Sequence, residues 1–173
     1  GKHAGLKAAE FARRAVYQPL KADEADFARE QFDRLRSSRG EEKVAALSRE
    51  MKTVMFDHVG IFRTAEGMQQ ALAKVRELRE RFQHIQLDDD GKLFNLDLLN
   101  AWELGNLLEL AEVTTVCALK RTESRGAHAR EDYPKRDDQN WLKHTLAWRR
   151  GDEIELRYKP VTITSFQPRE RVY

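Results

Sequence analysis

Three successive segments between residues 41 and 121 carry apolar side chains at every third or fourth position, and this periodicity constrains the fold more than any other feature. Such spacing places the apolar residues on one face of an α-helix. In the first segment, which starts at Glu41, they are Val44, Leu47, Met51, Val54, Met55, Val59 and Phe62. In the second segment they are Met68, Leu72, Val75, Phe82 and Ile85. Thr64 and Asn95 stand where the N-caps of the second and third helices are expected.

The third segment, from Asn95 to about Arg121, is apolar around much of its circumference. Its large apolar residues are Leu98, Leu99, Trp102, Leu107, Leu108, Leu110, Val113 and Val116. A helix with apolar residues on several sides is expected to lie between packing partners. Three helices with short connections predict an antiparallel three-helix bundle of the spectrin-repeat type, with Trp102 and Leu108 in its core.

Other helices precede the bundle, and a small hairpin follows it. Gly1 to Val16 and Asp23 to Arg36 have helical patterns, and Pro19 separates them. Residues 141–148 and 153–158 alternate between apolar and polar on either side of Gly151-Asp152, which is typical of a β-hairpin. The tail from Pro160 has no clear period. The sequence therefore predicts a mainly α chain with N-terminal helices, the bundle, a small C-terminal β-hairpin and an irregular tail.

Composition excludes several classes of function. Lys and Arg number 31 and Asp and Glu 29, and because opposite charges are interspersed we expect no nucleic-acid partner. No apolar run approaches the roughly 20 residues that span a bilayer, and the N-terminal stretch lacks the apolar core of a signal peptide. Cys117 is the single cysteine, so we expect a reducing compartment and interpret Cys117 as a small buried apolar residue.

Side chains that could bind a metal or a cofactor lack the spacing such sites need. The five histidines are scattered, and Asp88 to Asp90 lack the ligand pattern of a calcium loop. There is no glycine-rich phosphate-binding motif, so we expect the chain alone to bind no flavin, no other cofactor and no metal. His128 is a chemically suitable acid or base, but no nucleophile accompanies it in a recognisable arrangement, and we assign no catalytic residue.

The densest group of functional side chains lies from Thr122 to Pro134, between the third helix and the hairpin. We expect Arg125, His128 and Arg130 to form a docking surface, because arginine binds carboxylates with two hydrogen bonds and Gly126 lets the backbone turn. In the alternative interpretation, acidic residues of the same segment bind both arginines locally. Those residues are Glu123, Glu131 and Asp132.

A second polar pattern lies on the third helix. Glu103, Asn106, Glu109 and Glu112 recur every three residues. They form either a polar stripe at an interface or, as we favour, partners for arginines of another domain.

Two motifs are specific enough to indicate a family. Glu-Ser-Arg-Gly-Ala-His-x-Arg-x-Asp-x-Pro occupies residues 123–134, and Asp-Asp-x-Asn-Trp-x-x-His-Thr-Leu occupies residues 137–146. Both resemble the C-terminal helical domain of the succinate dehydrogenase and fumarate reductase flavoprotein subunits. Weaker resemblances cover residues 1–5, 61–67 and 104–112, and the ending 166–173 is most similar to succinate dehydrogenases.

The resemblance implies an intact subunit that oxidises succinate to fumarate by hydride transfer to covalently bound FAD and passes electrons to an iron–sulfur subunit. It implies a structural and docking role for this chain, because the substrate-binding and flavin-linked residues of the family lie upstream. Residues 1–22 then correspond to the end of the last helix of the flavin domain and a linker. Residues 23–121 correspond to the helical bundle, and residues 122–173 to the motif loop, hairpin and tail.

The implied partners are the flavin-binding domain, the iron–sulfur subunit and, indirectly, membrane anchor subunits. The implied location is peripheral, at the cytoplasmic face of a bacterial inner membrane or the matrix side of the mitochondrial membrane. Alternatives are the C-terminal domain of a fumarate reductase or L-aspartate oxidase flavoprotein, or a free-standing helical interaction module.

Overall fold

A computed structural model describes residues 1–169 of the chain. Its helices are α1 (Lys2–Arg14), α2 (Asp26–Ser37), α3 (Val44–Val59), α4 (Ala65–Phe82), α5 (Leu96–Lys120) and α6 (Asp138–Trp141). Its strands are β1 (Glu42–Lys43), β2 (Phe62–Arg63), β3 (Ile85–Gln86), β4 (Ala129–Arg130), β5 (Lys143–Arg150) and β6 (Glu153–Pro160). The mainly α fold with a small C-terminal hairpin is confirmed.

The chain divides into two compact units, and the boundary falls within α2. The first unit is Gly1–Arg34, and the second begins at Leu35. None of the residues of α1 is buried, and its apolar residues Leu6 and Phe11 are exposed. The predicted division at residues 22 and 121 concerns the intact subunit, and it stays a prediction.

Helices α3, α4 and α5 pack against one another as the predicted bundle. Deeply buried apolar side chains of this core include Leu47, Val75, Leu78, Leu104 and Leu108. Each stabilises the fold by about 1.5–3 kcal/mol relative to an exposed position. Leu108 is buried as predicted, whereas Trp102 is partly buried and packs against the edge of the core.

Side-chain caps explain where two of the bundle helices begin. The hydroxyl of Thr64 accepts a hydrogen bond from the amide of Gly67 at 3.1 Å. The side-chain oxygen of Asn95 accepts one from the amide of Leu98 at 2.7 Å. Each cap pairs a backbone amide that has no partner within its own helix. Both predicted N-caps are therefore confirmed.

Two short parallel strand pairs form, and three of their four strands include residues that the helical periodicity had placed at the ends of helices. β1 pairs with β3, and β2 pairs with β4. The helix expected from Glu41 starts only at Val44, because residues 42 and 43 pair with Ile85 and Gln86. Gly40 permits this approach, since a Cβ atom there would lie 1.8 Å from the carbonyl oxygen of His84. Ile85 is accordingly a buried strand residue beyond the end of α4.

The C-terminal hairpin forms as predicted. β5 and β6 pair in antiparallel register, with Arg150 opposite Glu153 and a two-residue loop between them. Gly151 in that loop has a φ of 60°, a value that two-residue hairpin loops require and glycine adopts without strain. Within the described residues, no helix combines the length and apolar character needed to cross a membrane.

Candidate functional site

The candidate site is the motif loop, residues 121–137, which connects α5 to α6. Its tip is a tight turn in which Arg125 and His128 exchange two backbone hydrogen bonds, of 2.8 and 3.0 Å. Gly126 has a φ of 58° within this turn, a conformation that residues with a Cβ atom rarely adopt. The glycine therefore turns the backbone as its place in the motif predicted.

Arg130 lies inside the protein at the C-terminal end of α5. It is 2% exposed, and its Nη1 donates to the carbonyl oxygens of Ala118, Leu119 and Arg121 at 3.0–3.2 Å. The last carbonyls of an α-helix have no partner within the helix, and a cation near them is favoured by the helix dipole. The docking role expected for Arg130 stays a prediction, although only 2% of the residue is exposed in this chain.

Asp132 connects this cap to the start of another helix. Its two carboxylate oxygens accept from Nε and Nη2 of Arg130, each at 2.7 Å. One of them also accepts from the amide of Ala65, the first residue of α4, at 3.0 Å. Hydrogen bonds from Arg130 and then this amide lower the pKa of Asp132 to about 2. The Arg130–Asp132 pair thus holds the end of α5 against the beginning of α4.

Glu123 is a completely buried carboxylate that pairs with two arginines. It accepts from Arg121 at 2.5 Å, from Nε and Nη2 of Arg125 at 2.8 and 3.1 Å, and from the amide of Asp137 at 2.9 Å. Burial opposes the ionisation of Glu123, but the hydrogen bonds from Arg125, the Asp137 amide and Arg121 outweigh it and hold its pKa below the usual range. Arg125 also donates to Asp138 at 2.6 Å. Glu123 therefore binds Arg125, and Asp132 binds Arg130, which agrees with the alternative interpretation for these two acids but not for Glu131.

His128 is partly buried and held by two contacts. Its Nδ1 lies 2.7 Å from Nη1 of Arg63, and its Nε2 lies 3.2 Å from the carbonyl oxygen of Arg121. Because a guanidinium only donates, Nδ1 must accept and Nε2 must carry the proton. Burial and the nearby charges of Arg63, Arg130 and Arg121 lower the pKa of His128. The imidazole is therefore neutral at pH 7.

A pocket of about 630 Å³ brings Arg125 and His128 together with side chains from α5 and β5. Arg130 is not among its lining residues, but Arg63 and Arg121 are. Neither of these two arginines was predicted from the sequence to belong to the site. For Arg63 a signal existed, because it lies in the segment 61–67 that carries part of the family resemblance. Within residues 1–169, no group of His, Cys, Asp and Glu side chains could hold a metal ion.

The polar stripe of α5 was expected to bind arginines of another domain, and the structure differs from this expectation at Glu112. Glu112 is 1% exposed and binds Arg76 at 2.9 Å, Arg79 at 2.6 Å, and Arg149 of the hairpin. Burial opposes its ionisation, but the hydrogen bonds from Arg76 and Arg149 and the charge of Arg79 keep its pKa below the usual range. All three arginines belong to this chain, so the expectation of partners in another domain is wrong for Glu112. Glu103, Asn106 and Glu109 are exposed.

Comparison with known proteins assigns the family. A family model described as "Fumarate reductase flavoprotein C-term" matches residues 48–173. The chain belongs to this family. The succinate dehydrogenase flavoprotein subunit of Rickettsia bellii is 39% identical over 182 aligned positions, which cover 100% of this chain and 30% of that protein. The fumarate reductase flavoprotein subunit of Haemophilus influenzae is 43% identical over 143 positions, 82% of this chain and 24% of that protein.

The fold is found in a solved member of the family. The chain is similar to a chain of an Escherichia coli quinol fumarate reductase variant, with a TM-score of 0.87 and 42% identity over 98% of this chain and 30% of that one. This chain therefore spans about 30% of the length of such relatives and corresponds to their C-terminal domain. The ending 166–173, which suggested succinate dehydrogenase, lies partly outside the described residues, because the description stops at residue 169.

Proposed function

We propose that this chain is the C-terminal helical domain of a succinate dehydrogenase flavoprotein subunit, and that its own role is to dock against the rest of the subunit. The docking role rests on the observation that different residues of the motif loop have different contacts. Arg130 and Asp132 fasten two bundle helices from inside, while Arg125 and His128 line an open pocket. One set of residues thus fixes the loop, and a second set lies in the pocket, where a partner surface can contact it.

The intact subunit then oxidises succinate to fumarate, with FAD accepting the hydride and electrons leaving through an iron–sulfur subunit. Within the described residues, this chain offers no cradle for the flavin phosphates. The two glycines with positive φ, Gly126 and Gly151, lie in a tight turn and a hairpin, not at the start of a helix where a pyrophosphate would bind. We therefore place the FAD and the catalytic residues in the part of the subunit outside this chain.

Succinate oxidation is favoured over fumarate reduction because the sequence of residues 166–173 resembles the ending of succinate dehydrogenases. Fumarate reductase is the second candidate, since relatives of both names align with the whole chain, a succinate dehydrogenase at 39% identity and a fumarate reductase at 42%. In either case we place the subunit at the membrane face, held by an iron–sulfur subunit and, through it, by membrane anchors.

The docking role is tested in the intact subunit with Arg125→Gln. Arg150→Gln is the matched control, because that side chain is 64% exposed and lies at the far end of the hairpin. We expect Arg125→Gln to lower flavin content or the yield of assembled complex, and the control to match the parent. In the 173-residue chain the same substitution leaves Glu123 bound by Arg121 and the Asp137 amide, so its melting temperature changes little. Normal flavin content and normal assembly of the variant would refute the docking role.

The direction of the reaction is tested on the assembled parent complex by measuring succinate oxidation and fumarate reduction with matched electron carriers. Faster succinate oxidation supports the proposal. Faster fumarate reduction favours the second candidate, and a complex inactive in both directions contradicts both.

A further inference from the structure

Arg63 is a partly buried cation that lacks an acidic partner. Its Nε donates to the carbonyl oxygens of Val59 and Gly60, both at 3.0 Å, and its Nη1 donates to His128. Within the described residues, no carboxylate lies within ion-pair distance of it. Burial alone lowers its pKa, with no charge opposing the shift. Charged groups removed from water are normally paired, so this guanidinium is incomplete in the chain alone.

The pocket beside Arg63 has the charge that an anion requires. The residues that line it include the cations Arg63, Arg121, Arg125 and Lys143, and none of its lining residues is Asp or Glu. Arg121 and Arg125 are compensated by Glu123, which is fully buried and not part of the lining. Among residues 1–169, two lining cations therefore remain without an acid, Arg63 and Lys143.

Lys143 is held in place without being neutralised. Its ammonium lies 4.7 Å from the ring centre of Trp141 and 4.3 Å from that of Tyr158. Contacts with aromatic faces orient a cation but leave its charge available to an anion. The rest of the lining includes the apolar side chains of Val113, Ala118 and Leu142. The pocket thus combines two available cations with an apolar wall.

We propose that this pocket is a carboxylate-binding site, in which Arg63 and Lys143 bind the carboxylate and the apolar wall contacts the carbon atoms attached to it. Arg63 presents Nη2, which makes no hydrogen bond to the described residues, and a guanidinium matches the planar carboxylate geometrically. An organic carboxylate fits better than inorganic phosphate because it carries carbon atoms that the apolar wall can contact. The site exists in the chain alone, whatever reaction the intact subunit catalyses.

Binding is tested by titrating the 173-residue chain with propionate while NMR follows the His128 ring and the Arg63 side chain. Propionamide is the neutral analogue, and sodium chloride and inorganic phosphate at equal ionic strength are the anion controls. We expect saturable shifts with propionate only. Shifts that also appear with chloride or phosphate would reduce the site to general electrostatic attraction and overturn the proposal, as would an absence of saturation.

Substitutions identify the residues that bind. Arg63→Gln and Lys143→Gln should each raise the dissociation constant by about tenfold or more, as expected for losing a charged hydrogen bond. Arg36→Gln and Lys120→Gln remove the same charge at exposed positions and should bind like the parent. Arg63→Gln could unfold the chain because it no longer caps α3. In that case Lys143→Gln still tests the proposal, since the fold does not depend on the contacts of Lys143 with the two aromatic rings. Parental affinity in Lys143→Gln would overturn its assigned role.

The source of the carboxylate is resolved in the intact subunit. A zero-length carbodiimide joins the Lys143 amine to a carboxylate in direct contact, and mass spectrometry identifies the linked peptide. A link to an Asp or Glu of the same subunit makes the natural ligand an acidic side chain. An unlinked subunit that still binds propionate makes it a free carboxylic acid. A subunit that neither links nor binds contradicts the proposal.

Discussion

Replacing Arg130 with alanine should strongly destabilise the 173-residue chain. The side chain is 1% exposed, caps three carbonyl oxygens at the end of α5 and forms a two-bond ion pair with Asp132. Removing one partner of a buried ion pair costs about 3–5 kcal/mol. Because the Asp132 side chain is 31% exposed and can be rehydrated, we expect the lower end, about 3 kcal/mol. For a chain of this size that lowers the melting temperature by about 6–12 °C.

The assay is thermal and urea unfolding followed by circular dichroism. Arg136→Ala is the control, since it removes an arginine of the same motif loop that pairs with the exposed Asp138 at 2.9 Å. We expect the control to change the free energy of unfolding by less than about 1 kcal/mol. The free energy of unfolding of Arg130→Lys should lie between those of the two alanine variants, because lysine keeps the positive charge but cannot donate two parallel hydrogen bonds to Asp132. A parental melting temperature for Arg130→Ala would show that the helix ends do not depend on this cap.

Acid titration gives an independent check of the same contact. Folding lowers the pKa of Asp132 from the usual 3.8 to about 2. A carboxyl group with a lowered folded pKa stabilises the fold fully above its unfolded pKa, and this contribution is lost as the pH falls towards the folded pKa. The stability difference between the parent and Arg130→Ala should therefore shrink between pH values of about 5 and about 2. A difference independent of pH in that range would exclude the Asp132 pair as its cause.

Three further changes test other parts of the structure. Leu108→Ala should lower the free energy of unfolding by about 2–5 kcal/mol, because Leu108 is 1% exposed. Leu110→Ala, at 60% exposure, should change it by no more than about 0.5 kcal/mol. Equal urea midpoints for the two variants would contradict the assigned helix faces. Glu112→Gln should cost about 3 kcal/mol, since it leaves three guanidinium groups around a neutral amide, and a parental midpoint would contradict the cluster. Trypsin should cleave within residues 1–34 before it cleaves α3 to α5, because α1 has no buried residue, and simultaneous cleavage would oppose this.

Local sequence patterns were sufficient for the helices and the hairpin. The spacing of apolar residues fixes which face of α4 is buried, and Thr64 and Asn95 cap helices through bonds that span only three residues. The β5–β6 pairing follows from alternation around a glycine turn. Each of these signals arises from neighbours in the chain, so it can be read without knowing where distant residues lie.

The parts that the sequence did not predict depend on distant contacts. Two-residue strands such as β1 and β3 are too short to produce a period, and their pairing depends on how closely Gly40 approaches His84. Arg130 resembles an exposed arginine in the sequence, yet its partners include carbonyl groups 9–12 residues away at a helix end. Glu112 lies in a regular polar stripe, and nothing in that stripe distinguishes it from its exposed neighbours.

The hydrogen bond between Asp132 and the amide of Ala65 can form only late in synthesis of the chain. The two residues are 67 positions apart, so the first turn of α4 is made long before its carboxylate. At about 5–20 residues per second, the ribosome needs roughly 3–13 s to add that interval. Helical bundles fold within milliseconds or faster. Helices α3 and α4 are therefore synthesised seconds before Asp132 is available to bind the amide of Ala65. A truncated chain that ends between residues 121 and 129 therefore contains all three bundle helices but lacks Arg130 and Asp132, and we expect it to be degraded rather than assembled.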